Sequence, residues 1–393
     1  MSAQTSRALG WVVARAADRE AAGLRRRLRP RDPVGDGSLD LASNDYLDLT
    51  RHPLVTEAAV AAVRAWGAGA TGSRLVTGST RLHADLEREL ADLMGWEAGL
   101  VFSSGYLANL GALTALAGPG DLVVSDAGNH ASIIDACRLT RARVAVVPHR
   151  DVAAVEAALV SRHEARAIVV TDAVFSVDGE AAPVSALYAV CRRRGVALVV
   201  DEAHSLGVVG GTGAGLVHEE GLAGRPDLVI TATLSKALGS QGGAVLGSQA
   251  VVDHLVDAAR TFIFDTGLAP ASAGAALAAV RLLRAEPERA DAVRGRAGDL
   301  AAAAIRLDLP VGVASPAAAV TSVVVGEAEA AVRAARRCAE LGMRVGCFRP
   351  PSVPDGRSRL RLAARAGLTA ADVQRAGAAL GEALVELATS SSR

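Results

Sequence analysis

Residues 197–236 read ALVVDEAHSLGVVGGTGAGLVHEEGLAGRPDLVITATLSK. Two short runs rich in Val and Ile, at 197–201 and 227–231, flank a Gly-rich segment. Asp201 closes the first run, and the polar residues 231–236 follow the second. Short apolar runs of this kind are typical of buried strands in a parallel sheet, which binds its ligands beyond the carboxyl ends of the strands. We therefore expect a ligand site that includes Asp201 and Lys236.

Lys236 is the only lysine in the chain, which contains 41 arginines. Because Arg is used wherever a positive charge or a long stem suffices, the retained lysine indicates a position that Arg cannot fill. A desolvated lysine amine can lose its proton and form an imine with a carbonyl compound, whereas a guanidinium stays protonated. The alternative is a compositional bias that left one lysine by chance, and the surroundings of Lys236 decide between the two.

The alternation of apolar runs with stretches of helical period extends over about residues 99–247. It predicts an α/β fold with a mostly parallel sheet wrapped by helices. The predicted strands are 122–125, 144–147, 167–171, 197–201, 227–231 and 243–246. Leucines at helical spacing over 82–93 predict a helix that leads into this sheet, and 107–116 predicts another.

The chain is long enough for more than one domain. We divide it into an N-terminal helical arm and lead-in (1–50), a large cofactor-binding domain (51–285) and a small C-terminal α+β domain (286–393). The Arg-Ala-Glu-Pro break at 284–287 marks the second boundary. A strand at 320–325 and a helix at 327–341 are expected beyond it, and Pro270 is expected to open a packing helix before it.

Composition excludes several classes of protein. Half of the residues are hydrophobic, and 42 basic residues balance 42 acidic ones. A net charge of +0 provides no overall field to attract nucleic acid or an anionic membrane. The four cysteines contain no CxxC pair, which argues against a zinc site or a disulfide framework and favours a reducing cytoplasm. No secretory signal or bilayer-spanning run is evident, and no metal is expected.

Two familiar motifs fail on closer inspection. Asp-Glu-Ala-His at 201–204 spells a helicase box, but a nucleotide motor also needs GxxxxGK[ST], and Ser235 stands where that motif requires Gly. GVVGGTGAG at 207–215 lacks the GxGxxG spacing of a dinucleotide loop. We interpret this second segment as a flexible turn.

Pyridoxal phosphate needs an imine-forming lysine, a carboxylate at the pyridine nitrogen, a flat group over the ring and donors for the phosphate. Lys236, Asp201 and His130 can supply the first three. Hydroxyls at Thr233 and Ser235, and the helix start at 103–106, can supply the donors, because a helix N-terminus offers unpaired amides to phosphate. Each element alone has a plainer explanation as a helix cap, a loop histidine or an ion-pair partner. Together they favour the cofactor.

The chain resembles the α-oxoamine synthases over about residues 20–385. The motifs that carry the resemblance are ASNDYL (42–47), TGSRLVTG (71–78), FSSGY (102–106), NHAS (129–132), VFS (174–176), DEAH (201–204), TLSK (233–236) and RPPSVP (349–354). The resemblance implies the fold type I of pyridoxal-phosphate enzymes, with a large domain and a smaller α+β C-terminal domain.

The resemblance also implies a role for each site residue. Lys236 would carry the cofactor as a Schiff base, Asp201 would hold the pyridine nitrogen and His130 would cover the ring. The remaining cofactor contacts would come from Ser104, Gly105, Tyr106, Ser176, His204, Thr233 and Thr266. Thr266 would reach a phosphate in the partner subunit of a homodimer with shared active sites. Arg361 would grip the amino-acid carboxylate, and Arg25, Asn44 and Ser352 would lie on the substrate side, although Arg25 could equally belong to a solvated basic face.

TGSRLVTG and RPPSVP are most similar to the branch of the family that condenses L-alanine with a pimeloyl thioester in biotin biosynthesis. The donor could be pimeloyl-CoA or a pimeloyl carrier protein. The alternatives are another member, such as a glycine C-acetyltransferase, and a non-catalytic module that keeps the cofactor fold. Four positions depart from the usual pattern: Asp48 and Ser205 replace glycine, Ser352 replaces threonine and Arg365 replaces histidine.

Overall fold

The structure is a computed structural model that describes residues 7–33, 35–353 and 355–390. Within these ranges the strands are β1 (Leu39–Leu41), β2 (Ala98–Phe102), β3 (Leu122–Asp126), β4 (Arg143–Val147), β5 (Ala167–Asp172), β6 (Ala197–Asp201), β7 (Leu228–Thr233), β8 (Gly243–Gly247), β9 (Val320–Gly326), β10 (Met343–Phe348) and β11 (Ser358–Ala363). Residues 1–6 of the predicted arm, Pro354 of the RPPSVP motif and residues 391–393 of the predicted small domain lie outside the described residues.

The helices follow the strands closely in sequence. They are α1 (Gly10–Ala21), α2 (Pro53–Trp66), α3 (Arg81–Met94), α4 (Gly105–Leu116), α5 (Ala131–Thr140), α6 (Val152–Val160), α7 (Val184–Arg194), α8 (Leu216–Glu219), α9 (Gln249–Ala258), α10 (Arg260–Ile263), α11 (Pro270–Ala285), α12 (Glu288–Arg306), α13 (Ala328–Glu340) and α14 (Ala370–Ser390). None of them is both long and apolar enough to cross a bilayer, in the part of the chain that the structure describes.

The larger sheet confirms the predicted α/β fold. Its strand order is β2-β8-β7-β6-β5-β3-β4, and only β8 runs antiparallel to its neighbours β2 and β7. All six predicted strands are present, and β7 continues to Thr233, two residues beyond the predicted end. The central strands β3, β5, β6 and β7 are buried throughout, apart from the half-buried Ala197 at the start of β6, as expected of a parallel sheet covered on both faces.

The register of the central strands brings their polar ends together. Asp172 at the end of β5 lies beside Asp201 at the end of β6, and Asp201 lies beside Thr231 on β7. Because β5, β6 and β7 are parallel, these polar residues share one edge of the sheet. The expected ligand site therefore has a defined place in the fold.

A smaller sheet has the strand order β1-β10-β11-β9. Strand β1 comes from the N-terminal lead-in and pairs in parallel with β10, whereas β10, β11 and β9 pair antiparallel. The predicted break at 284–287 is present as the gap between α11 and α12, and the predicted strand and helix beyond it are β9 and α13.

The N-terminal arm is less helical than predicted. Helix α1 ends at Ala21, and the chain then turns at Gly23, whose φ of 64° favours glycine. No residue of α1 is buried, and Trp11 is 62% exposed.

A buried ion pair fixes the TGSRLVTG segment to the large sheet. This segment forms a short π-helical turn, Arg74–Gly78. Arg74 donates to both carboxylate oxygens of Glu87 at 2.8 and 3.2 Å and to the carbonyl oxygen of Val101 at 3.2 Å, and both charged side chains are largely buried. Arg74 therefore connects the turn, α3 and strand β2.

We predict that Arg74→Met lowers the free energy of unfolding by about 3 kcal/mol, because it leaves the buried Glu87 carboxylate without a partner. The matched control is Arg88→Met on α3, which removes an exposed pair with Asp85 at 2.9 Å and should cost less than about 1 kcal/mol. Urea denaturation of both variants measures the difference. Equal losses of unfolding free energy in the two variants would contradict the structural role assigned to the Arg74–Glu87 ion pair.

Candidate active site

Lys236 lies three residues beyond the end of β7, in the turn that leads to β8. Its side chain is half-buried, and its amine makes no hydrogen bond or ion pair with any residue that the structure describes. Burial lowers the pKa of Lys236 to about 8, with Arg361 acting in the same direction and Asp201 opposing it. A pKa of about 8 leaves roughly a tenth of this amine uncharged at pH 7, and an uncharged amine can form an imine or accept a proton.

Asp201 is a buried carboxylate that bonds to neutral donors. Its Oδ2 accepts from Asn109 Nδ2 at 2.6 Å, and its Oδ1 accepts from the backbone N–H of Ala203 at 2.8 Å. Asn109 is itself fixed by Thr231, whose hydroxyl donates to Asn109 Oδ1 at 2.6 Å. Among the described residues, no arginine or lysine pairs with Asp201. The structure therefore favours a partner such as a protonated ring nitrogen over the ion pair that sequence alone allowed.

His130 is held beside Asp201 by the same network. Its backbone N–H donates to Asp172 Oδ2 at 2.8 Å, and its Nδ1 lies 2.8 Å from the hydroxyl of Ser132. That hydroxyl also accepts from Asn109 Nδ2 at 2.8 Å. Burial lowers the pKa of His130, so the ring is neutral at physiological pH. A neutral flat ring is suited to covering an aromatic cofactor.

Asp172 is buried beside Asp201 at the neighbouring strand end. Burial and the neighbouring Asp201 together raise the pKa of Asp172 well above its usual range. Two carboxylates at adjacent strand ends cannot both ionise cheaply. The pairing therefore favours the protonated form of Asp172.

The N-terminus of α4 forms a close contact with the end of β7. A Cβ added to Gly105 would lie 3.0 Å from Cβ of Thr233, and one added to Gly243 would lie 2.4 Å from the carbonyl oxygen of Ser104. Ser104 is the N-cap of α4 and accepts from the backbone N–H of Leu107 at 3.2 Å. The free amides at the helix start and the Thr233 hydroxyl thus lie together, as phosphate binding requires.

Arg361 on β11 approaches the same site from the smaller sheet. Both of its Nη atoms donate to Asn44 Oδ1 at 3.1 Å, and one donates to the Tyr46 hydroxyl at 3.2 Å. The Tyr46 hydroxyl lies 2.8 Å from Nδ1 of His204. Burial, with Lys236 and Arg361 nearby, lowers the pKa of His204 well below its usual range.

Arg361 has an unusual set of partners for a buried cation. It is 4% exposed, its guanidinium carbon lies 5.3 Å from the centre of the Phe348 ring, and its Nε makes no hydrogen bond. No carboxylate pairs with it in the described part of the chain. Since a buried guanidinium is costly without a counter-charge, this geometry suits an anionic ligand.

The structure does not bring every predicted site residue into this network. The Tyr106 hydroxyl donates to Asp135 at 2.5 Å on the α4–α5 surface, and the half-buried Ser176 side chain makes no hydrogen bond with any described residue. Thr266 and Ser352 are exposed, and Arg25 lies 3.9 Å from Glu20 in the exposed arm.

Three residues of the network were not predicted as site residues. Asn109 lies inside α4, and no pattern in the sequence indicates that its side chain is buried beside Asp201. Asp172 was visible as a polar strand end, but only the register beside Asp201 reveals its pairing. Tyr46 belongs to the ASNDYL motif, yet its contact with His204 joins residues 158 positions apart.

The donor set fits pyridoxal phosphate. Lys236 offers an unpartnered amine, Asp201 an unpaired carboxylate and His130 a neutral ring. Gly105 and Gly243 lack the side chains that would fill the space at the start of α4. These residues would hold the ring and the phosphate of that cofactor.

We predict that Gly243→Ala weakens retention of pyridoxal phosphate, because the new Cβ would push the start of α4 away from Thr233. Overpacking at this position should also lower the free energy of unfolding by about 1–3 kcal/mol. Gly247→Ala on the same strand is the matched control, since its Cβ would meet Val251 at an ordinary 3.4 Å. Cofactor absorbance after dialysis measures retention, and equal retention in both variants would contradict the prediction.

Comparison with known proteins agrees with this geometry. The family model of aminotransferase class I and II matches residues 36–380. The chain is 62% identical over 361 residues to an 8-amino-7-oxononanoate synthase from Mycolicibacterium smegmatis, covering 92% of this chain and 93% of that one. It is 61% identical to the enzyme of the same name from Mycobacterium bovis, covering 96% of this chain and 95% of the relative.

Solved structures show the same fold. A serine palmitoyltransferase from S. paucimobilis with a bound PLP–myriocin aldimine superposes with a TM-score of 0.90 at 27% identity, covering 97% of this chain and 98% of the other. The crystal structure of 8-amino-7-oxononanoate synthase from Francisella tularensis has a TM-score of 0.76 at 25% identity, covering 89% and 98%. The fold is therefore that of fold type I pyridoxal-phosphate enzymes, and the chain belongs to the aminotransferase class I and II family and, within it, to the α-oxoamine synthases.

Proposed function

We propose that this protein is an 8-amino-7-oxononanoate synthase. It would condense L-alanine with a pimeloyl thioester, releasing carbon dioxide and the free thiol of the donor. The observation that carries the proposal is the buried Arg361, which has no carboxylate partner among the described residues and influences the pKa of Lys236. High identity to enzymes of that name over nearly the whole chain supports it.

The cofactor, when bound, supplies an electron sink for the carbanion formed at the α-carbon of the amino acid. Lys236 would tether it and then use the freed amine as the base that removes the Cα proton. The lowered pKa of Lys236, about 8, leaves part of this amine unprotonated near neutral pH. The charge on Asp201 would keep the ring nitrogen protonated, and His130 would cover the ring and exclude water.

Arg361 would fix the orientation of the amino acid. Its Nη atoms already meet Asn44 and Tyr46, so the guanidinium plane has a defined direction before the substrate binds. A carboxylate placed against it would gain a charge-assisted hydrogen bond in a buried setting. We propose Asn44 as the partner that orients this guanidinium.

The acyl donor would approach between the N-terminal arm and β10. A cavity of about 110 Å³ there is lined by Leu24, Arg26, Cys347, Phe348, Arg349, Pro350 and Ser352. Phe348 contacts Arg361 from the other side, so this cavity adjoins the amino-acid position. The neighbouring Arg25 and the lining residue Ser352 are the proposed substrate-side groups, and the donor could be the coenzyme A or the carrier-protein thioester.

We also propose a homodimer with shared active sites. The backbones of Ser73 and Thr266 pair, and apolar side chains near them face solvent: Val76 is 78% and Phe264 is 69% exposed. Such a patch on a single chain is suited to a subunit interface. The exposed Thr266 would then reach the phosphate held by the partner subunit. A cytoplasmic location is proposed as well, which suits the four free cysteines.

The experiment that tests the function is a panel of acyl thioesters offered with single amino acids. We expect L-alanine with pimeloyl-CoA or pimeloyl carrier protein to yield 8-amino-7-oxononanoate, identified by mass. Shorter acyl groups and glycine or serine should react at least about tenfold more slowly, as expected for a site that discriminates by fit. A product formed only from glycine and a short acyl group would instead identify a glycine C-acetyltransferase.

We predict that Lys236→Arg abolishes turnover together with the borohydride-reducible attachment of the cofactor, because a guanidinium can neither form the imine nor accept the Cα proton. Mass spectrometry after reduction measures the attachment. The melting temperature of the variant, compared with that of the wild-type chain without cofactor, controls for folding. Retained turnover in a folded variant would overturn the role of Lys236.

A further inference from the structure

Three consecutive residues after β11 hold the loop that follows β1. Arg365 donates through Nε to the carbonyl oxygen of Asp40 at 3.2 Å and forms an ion pair with Asp48. The backbone N–H of Ala366 donates to the carbonyl oxygen of Tyr46 at 2.8 Å. The backbone N–H of Gly367 donates to Asp48 Oδ2 at 2.7 Å. Segment 365–367 is therefore hydrogen-bonded to segment 40–48 at three residues, Asp40, Tyr46 and Asp48.

The fastened segment carries two of the groups that orient Arg361. Asn44 and Tyr46 lie between the attachment points at Asp40 and Asp48, and both accept hydrogen bonds from the guanidinium. Arg361 itself lies on β11, four residues before Arg365. Both sides of this contact are thus connected through the Asp48–Arg365 pair.

The ion pair between Asp48 and Arg365 lies at a turn whose backbone conformation would suit glycine. Asp48 has a φ of 55°, a conformation that favours glycine, and the turn nevertheless holds an aspartate there. Its carboxylate bridges Arg365 and the amide of Gly367, and a Cβ on Gly367 would lie only 2.8 Å from it. Both side chains of the pair are 25% exposed, so the pair is shielded from bulk solvent on most sides.

We propose that the Asp48–Arg365 ion pair is a positioning device that sets Asn44 and Tyr46 against Arg361 and thereby determines the affinity for the amino-acid carboxylate. The two residues pair with each other, and each also bonds to the backbone of the opposite segment: Arg365 to Asp40 and Asp48 to Gly367. This inference rests on the proposed function, since it assigns Arg361 to the carboxylate of the amino acid.

The test is a double-mutant cycle on the holoenzyme. The variants are Asp48→Gly, Arg365→His and the double variant, with KM for L-alanine, KM for the pimeloyl donor and kcat as readouts. Each single variant should raise KM for L-alanine about tenfold, and the double variant by much less than the product of the two single effects, because either single variant already removes the shared ion pair. The donor KM and kcat should change less than about threefold.

Two further variants separate positioning from general damage. Arg365→Lys keeps the charge opposite Asp48 and should restore most of the alanine affinity. Arg88→His removes an exposed pair elsewhere on the surface and should leave all three parameters unchanged. Independent multiplication of the two single effects, or an unchanged KM for L-alanine in both single variants, would overturn the proposal.

A second readout does not depend on the reaction. Hydrogen exchange at the amides of Ala366 and Gly367, and in peptides covering 40–48, should accelerate in both single variants, and in the double variant by less than the product of the two single effects. If the wild-type chain failed to use L-alanine, the proposed function would fail while this exchange pattern remained measurable. Normal use of L-alanine without any change of exchange would overturn the positioning device alone.

Discussion

The site depends on two buried carboxyl groups that the sheet places side by side. Asp172 and Asp201 are register partners at the ends of β5 and β6. Burial, together with repulsion from Asp201, raises the pKa of Asp172 well above its usual range. Asn109 and the amide of His130 each bind one of these carboxylates, which connects α4 and the start of α5 to the strand ends. The pair therefore sets the positions of Asn109 and His130 in the site.

Few of the ionisable side chains around the Asp172–Asp201 pair carry a charge. His130 and His204 are neutral because burial lowers the pKa of each, and Arg361 supplies a permanent positive charge on the opposite side. A substrate carboxylate would neutralise Arg361, and a protonated ring nitrogen would neutralise Asp201. The bound ligands would therefore supply the counter-charges that Arg361 and Asp201 lack among the described residues. A ligand with a positive charge at Arg361 or a negative charge at Asp201 would bind poorly.

The sequence predicted six strands of the large sheet because each contains a short apolar run, and β3, β5, β6 and β7 also end on a polar residue. It did not predict β1, which has three residues, or β11, which contains Arg359 and Arg361 and reads as polar. Arg359 is accommodated because Asp178, in the segment after β5, and Asp355, just before β11, each pair with it at 2.8 Å. The lysine, the aspartate and the histidine were visible as motif residues. Asn109 and the Asp172 pairing were not, since tertiary register creates them.

The single lysine has a further chemical consequence. Pyridoxal phosphate is an aldehyde that reacts reversibly with any accessible primary amine, and a typical protein surface offers it many. Here every other basic side chain apart from histidine is a guanidinium, which does not condense with aldehydes under mild conditions. Side-chain imines can thus form only at the turn after β7. The arginines on the surface therefore do not react with the aldehyde. At most one cofactor molecule per chain can be attached to a side chain as an imine.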